Sequence, residues 1–159
     1  MERLMPAIPV VTKQAQRTYV PGLGSVIYGG QVVEAFTDST RGGRIRPAGA
    51  ASTKWLGVAV TDAKSPEDNA TALGAAPLSD GRPVVNFAPF PVNVAVVSSG
   101  AEVPVVYAAA ANFGDALMCA ANGQVTPVTG ATQDTRTIIG KCTAPAGVGI
   151  GAVGLMRIL

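Results

Sequence analysis

The sequence predicts an all-β protein: a single-domain β-barrel or sandwich of about ten to twelve short strands, with an internal pseudo-repeat and an extended N-terminal arm. Three observations predict it. Short runs rich in valine, isoleucine and threonine alternate with turn clusters of Gly, Pro, Asn and Asp. The 19 glycines and 12 prolines punctuate the whole 159-residue chain, and no clear helical stretch stands out. A three-strand phrase also occurs twice.

The first copy of that phrase runs Val26-Ile27-Tyr28, Gly30-Gln31-Val32-Val33-Glu34, Gly43-Arg44-Ile45-Arg46-Pro47 and Leu56-Gly57-Val58-Ala59. The second runs Val105-Val106-Tyr107, Gly114-Asp115-Ala116-Leu117-Met118-Cys119, Gly123-Gln124-Val125-Thr126-Pro127 and Ile138-Ile139-Gly140-Lys141-Cys142. The offset is 79 from Tyr28 to Tyr107, 80 from Gly43 to Gly123 and 83 from Gly57 to Gly140, a drift that loops of unequal length produce. Both copies hold Gly-x-(Ile/Val)-x-Pro and then a strand with glycine in its second place. This reads as two related halves, at about 25–63 and 103–143 within a domain at 25–159. Strand-turn-strand grammar also recurs in Gly-rich β proteins that carry no duplication.

Residues 1–24 form the arm. Pro6, Pro9 and Pro21 suppress helix, while Ile8, Val10, Val11, Tyr19 and Val20 favour extended backbone. Arg3, Lys13 and Arg17 are spaced along it. Such a segment either lies across a partner or is a solvated tail or edge strand. In the first half, Gly29-Gly30 and Gly42-Gly43 mark turns, and Trp55, the single tryptophan, opens a strand as a core or interface anchor. The stretch 64–82 is the most polar, with turn sequences at Pro66-Glu67-Asp68-Asn69 and Ser79-Asp80-Gly81, and it reads as an exposed connection. Val84-Val85-Asn86-Phe87 and Val92-Asn93-Val94-Ala95-Val96-Val97 follow as strands, with Pro83, Pro89 and Pro91 at strand starts or sheet edges. In the tail, Gly147, Gly149, Gly151 and Gly154 alternate with apolar residues, which fits an extended strand close to other backbone. The ending Leu155-Met156-Arg157-Ile158-Leu159 implies a C-terminus that is tied down.

Composition narrows the function. Charged residues make up 14% of the chain, against about 25% in an ordinary soluble domain, so surplus apolar surface is expected to meet another protein. A net charge of +2 from scattered basic residues gives no nucleic-acid footprint. The most apolar region, 83–111, is cut by Pro89, Pro91, Pro104 and Glu102, so no membrane span is expected. Glu2 and Pro6 do not suit a signal peptide.

The chain contains no histidine, which removes Ser-His-Asp and Cys-His nucleophile systems and most zinc sites. Cys119 and Cys142 make no CxxC, and they read more readily as small buried residues than as a disulfide. The GxGxxG at Gly149, Gly151 and Gly154 is followed by no helix and is accidental. Turn-strand phrases such as Gly114-Asp115-Ala116-Leu117 also resemble lipoyl and biotinyl carrier domains, but Lys141, between Gly140 and Cys142, and Lys54, between Thr53 and Trp55, fit the Met-Lys-Met tip poorly. No catalytic residue, cofactor or metal ligand is expected, and the chain does not read as an enzyme.

Taken in order, these phrases resemble the small capsid decoration proteins of tailed bacteriophages, also called cement or head-stabilising proteins. The resemblance spans about residues 25–159, and its Ala-, Gly- and Val-rich character is similar to those of phages infecting actinobacteria. It rests on phrase order; no single motif is diagnostic. It implies an all-β protein, commonly a homotrimer, on the outer face of the virion capsid, assembled in the host cytoplasm. There it would bridge major capsid protein subunits, with no catalytic site, direct nucleic-acid contact or membrane contact. On that reading the arm grips the capsid through Arg3, Lys13, Arg17 and Tyr19, and the barrel makes the trimer. A second class stays open: a ligand- or carbohydrate-binding β module on a virion or cell surface. That class needs aromatics exposed on one face, and the eight aromatics here fall mostly in strand-like apolar runs.

Overall fold

A computed structural model describes residues 16–40, 42–73, 91–130 and 134–159. Among them lie twelve strands: β1 (Gln16–Tyr19), β2 (Val26–Ile27), β3 (Val32–Asp38), β4 (Gly42–Pro47), β5 (Trp55–Ala59), β6 (Ala63–Lys64), β7 (Val94–Val97), β8 (Glu102–Val106), β9 (Ala116–Cys119), β10 (Val125–Pro127), β11 (Ile138–Cys142) and β12 (Val153–Ile158). One α-helix, α1 (Pro66–Leu73), interrupts them. The fold is all-β. The strands make two five-stranded sheets, in the orders β1-β7-β5-β3-β4 and β10-β9-β11-β12-β8, and a two-stranded pair, β2-β6. The ladders do not close into a barrel, and the architecture is that of a sandwich.

The two large sheets have one plan. In each, a hairpin (β3-β4, β9-β10) is joined on its inner side by the next strand (β5, β11), then by a later one (β7, β12). The outermost place goes to the strand that precedes the hairpin (β1, β8). The match extends to single residues. Val33 pairs with both Pro47 and Gly57, as Leu117 pairs with both Pro127 and Gly140. Both inner ladders carry a register shift, after Val33 and between Ile138 and Gly140. The Gly30 N–H donates to the Ala59 carbonyl and the Gly114 N–H to the Cys142 carbonyl. A lone parallel bridge ties Pro21 to Ile45 in one half and Tyr107 to Val125 in the other.

This correspondence corrects one alignment made from sequence. Tyr107 matches Pro21, since both bridge to the middle of the equivalent strand, and Tyr28 matches Asn112. Each of the latter pair opens a turn in which its own N–H donates to the side chain three residues on, Gln31 Oε1 or Asp115 Oδ2. Two tyrosines in similar phrases are thus a coincidence of residue type.

Burial follows the plan. Inside the first sheet lie Val33, Ile45, Ala59 and Val96; their counterparts Leu117, Val125, Cys142 and Met156 fill the second. The outer face of the first sheet, at Val32, Val58 and Val97 with Ala48, packs against the second half and joins its core. The halves are also stitched by hydrogen bonds from Gly123 N to Ala48 O (2.9 Å), Ala51 N to Cys119 O (2.8 Å) and Gln31 Nε2 to Asn122 O (3.0 Å). Trp55 is half-buried at this junction and its Nε1 donates to Arg136 O at 3.0 Å. Cys119 and Cys142 are free thiols, both buried.

One expectation differs from the structure, and one open reading narrows. Of the readings open for the arm, residues 16–19 take that of an edge strand: β1 pairs along its length with β7, from Gln16 opposite Val97 to Tyr19 opposite Val94. Pro21 and Gly22 continue onto β4, where Gly22 N donates to Ile45 O at 2.8 Å. The polar connection contains α1, where the sequence reading saw only turns. Its start is specified locally: buried Ser65 accepts from Asp68 N at 3.1 Å and donates back to the Asp68 carboxylate. Pro66 fills the first helical place, where no N–H is needed, and Glu67 and Asp68 are acids in the first turn. Asp68 also accepts from Gly24 N at 2.8 Å, which ties the helix to the chain leaving β1. The strand expected at 84–87 lies outside the described residues.

Candidate interaction surface

Of the four residues singled out for capsid contact, Arg3 and Lys13 lie outside the described residues. Arg17 and Tyr19 sit on β1, the edge strand of the first sheet. In the duplicated plan they take the places of Val103 and Val105, which point inward. Tyr19 accordingly packs, half-buried, against the first-sheet core. Arg17 is exposed and lines the mouth of that core with Leu56, Val96 and Ser98, around a groove of about 180 Å³. Among the described residues β1 is the outermost strand of its sheet and carries one cation, with its tyrosine occupied by packing.

The polar side chains of the first half are largely committed to one another. Buried Glu34 accepts from Arg46 Nε at 2.8 Å and from Gly49 N at 3.2 Å. Burial opposes its ionisation, but the hydrogen bonds from Ser52, Arg46 and Gly49, together with the Arg46 charge, win and hold its carboxyl below the usual range. The Arg46 guanidinium also lies over the Phe36 ring, 5.0 Å from its centre. Arg44 bridges Glu67 at 3.2 Å, which fastens α1 to β4. Among the described residues no three of His, Cys, Asp and Glu stand where they could hold a metal ion together. No helix among them is long and apolar enough to cross a membrane.

The second sheet presents a different surface. On its outer face Val153 (67% exposed) and Leu155 (42%) alternate with inward Gly154 and Met156 along β12. Their partners on edge strand β8 are Val106 and Pro104. Beyond them, one cross-strand row holds Lys141, Arg157 and Glu102, all exposed. Pro104 carries no N–H, which suits a sheet edge. Along that edge runs a cleft of about 250 Å³ between the halves, lined by Gly29, Gly30, Val58–Val60, Val103–Val106 and Val153. No polar side chain lines it. Sequence reading placed a strand in this tail without identifying its outward residues; the period-2 pattern Val153-Leu155-Arg157 was the available signal.

No protein-family model matches the chain, and no curated protein matches it. Among solved structures it is similar to the N base of the head fiber gp8.5 of bacteriophage phi29. The likeness has a TM-score of 0.57 at 13% identity and covers 91% of this chain and 95% of that one. It is a likeness of fold.

Proposed function

We propose that this chain is a structural protein of a bacteriophage virion, which sits on the capsid exterior and stabilises it by bridging major capsid protein subunits. The observation that carries this reading is the match, over nearly the full length of both chains, to the base of a phage head fiber. The phrase-level resemblance to decoration proteins supports it independently. So do a charge content of 14% and an apolar strand face open to solvent, which suit a protein that acts by burying surface. Repeated around a symmetric shell, many modest contacts act together as avidity. We take the working form to be a homotrimer on the outer surface, assembled in the host cytoplasm, without cofactor, catalysis, or nucleic-acid or membrane contact.

The carbohydrate-binding alternative is not favoured. Tyr28 (51%) and Phe113 (65%) are the exposed aromatics among the described residues, and they lie on corresponding turns of different halves. The test is the solution mass of the purified chain, then co-sedimentation with heads of the encoding phage prepared without it. Saturable pelleting at a fixed ratio to capsid protein is expected. A chain that stays in the supernatant at every head concentration overturns the reading.

A further inference from the structure

We propose that the outer face of the second sheet, Pro104, Val106, Val153 and Leu155 with Lys141 and Arg157 at its border, is the surface that seats on the capsid shell. On this assignment the shell protein presents an apolar patch bordered by carboxylates. The inference rests on the virion reading above and goes further by naming the face and the chemistry of its partner.

The duplication supplies an internal control. The cross-strand pair Pro104–Leu155 of the second half occupies the place of Thr18–Ala95 in the first. One step along, Val153 precedes Gly154 as Asn93 precedes Val94. Thr18 and Asn93 are exposed and polar; Pro104 and Val153 are exposed and apolar. Neither set is needed for internal packing, so folding does not account for the change from polar to apolar. Val153 and Leu155 ladder with Val106 and Pro104 of β8, while the β11 ladder begins only at Met156, and their outward side chains stay exposed. Exposed apolar side chains set side by side across two strands suit a surface that a partner covers. The uncovered patch continues into the apolar cleft at Val106 and Val153, which gives a slot for a partner's aliphatic side chain.

The inverse change marks the border. Val58 and Val97 are buried at the junction of the halves, and their counterparts Lys141 and Arg157 are exposed cations. The row that the first half turns to its sister therefore carries two cations in the second half and, opposite Arg157, the single carboxylate of Glu102. A second copy cannot reuse the internal contact there. The matching end of the first half also differs, because hairpin β3-β4 runs on through Phe36–Arg44, Thr37–Gly43 and Asp38–Gly42, beyond where β9-β10 ends at Cys119–Val125. Lys54, whose carbonyl accepts from Ala35 N on β3, is an exposed cation as well. The cations of this row outnumber its one carboxylate, Glu102, and charge complementarity favours a partner surface of net negative charge.

The test uses the full chain and heads of the encoding phage prepared without it. Val153→Asn and Leu155→Ala install the residues of the first half at exposed places, so thermal unfolding should match the wild type. Binding of the double variant should weaken by about tenfold or more, since central apolar contacts carry most interface affinity. Lys141→Glu with Arg157→Glu should weaken it too, and wild-type binding should fall as salt is raised. Wild-type pelleting with all variants pelleting equally overturns the face and leaves the virion reading intact. A wild type that ignores the heads overturns both. A wild-type oligomer whose mass drops in Val153→Asn/Leu155→Ala, with head binding per subunit unchanged, assigns the face to a second copy and overturns the shell assignment.

Discussion

Gly57 and Gly140 meet the same obstacle in the two halves. A Cβ on Gly57 would stand 2.2 Å from the carbonyl oxygen of Val97, and one on Gly140 would stand 2.4 Å from that of Arg157. Each glycine sits beside a register shift, on the strand that joins the hairpin to the rest of its sheet. The residue is required because a neighbouring backbone passes through the space a side chain needs. Gly57→Ala and Gly140→Ala are each expected to cost about 2–3 kcal/mol and to lower Tm by about 5–10 °C. Thermal denaturation of the two variants checks this. Unchanged melting of either would show that the sheets relax freely at that point.

A second glycine pair separates the halves. Gly43 and Gly123 open the same Gly-x-(Ile/Val)-x-Pro phrase, yet Gly43 is exposed with open space around it, and Gly123 is buried at the junction. A Cβ on Gly123 would lie 2.6 Å from Val32 O, and its φ of +69° strains any L side chain. Gly43→Ala should change stability by no more than about 0.5 kcal/mol. Gly123→Ala should cost about 2 kcal/mol or more and loosen the packing of one half on the other. Urea unfolding supplies the stabilities. Equal effects at the two places would remove the argument that the junction imposes the need.

These pairs also show what the sequence made legible. Strand and turn grammar sufficed for the all-β class, because β-branched residues and glycines act locally. The phrases at 43–47 and 123–127 occupy one structural place because Pro47 and Pro127 cap equivalent ladders. Tyr28 and Tyr107 do not, because the backbone role at those places, a turn in one and a bridge in the other, leaves residue type unconstrained. Helix α1 was hidden because Ser65-Pro66-Glu67-Asp68 serves a turn and a helix start equally well, and the deciding groups, Gly24 and Arg44, are remote in sequence. The apolar face was hidden for a different reason. Alternation says that Val153 and Leu155 share a side, but only the tertiary structure says that this side is outward.

Glu34 makes stability depend on pH. It is buried, paired with Arg46, and its carboxyl is held below the ordinary range. A depressed carboxyl stabilises the fold above its unfolded pKa, and that contribution is lost as pH falls through the folded value. Glu34→Gln keeps the shape and removes the charge. It should cost about 1–3 kcal/mol at pH 7. The gap from wild type should narrow as pH falls below the ordinary carboxylate range, where the wild-type carboxyl is neutralised in the fold as well. Asp68 and Asp134, whose carboxyls are likewise held low, are present in both proteins and cancel in the difference. Urea unfolding at pH 7 and pH 3 is the measurement. A gap of the same size at both values would show that Glu34 acts through shape alone.

The two thiols should be silent until the chain unfolds. Cys119 and Cys142 are 0% and 1% exposed, on β9 and β11 inside the second-sheet core. Burial, with the nearby Glu34 charge, pushes the Cys119 thiol up to about 12, so almost no thiolate exists at neutral pH. Cys142 fills the place that Ala59 takes in the first half, which marks it as a space-filling residue. Treatment of the native chain with a thiol alkylating agent at pH 8, followed by intact-mass measurement, should leave both cysteines unmodified. The same treatment in concentrated urea without reductant should modify both. Labelling in urea only after a reductant would reveal a disulfide and contradict the free thiols. Rapid labelling of the native chain would mean that the second core opens readily, and the match between the two interiors would then count for little in stability.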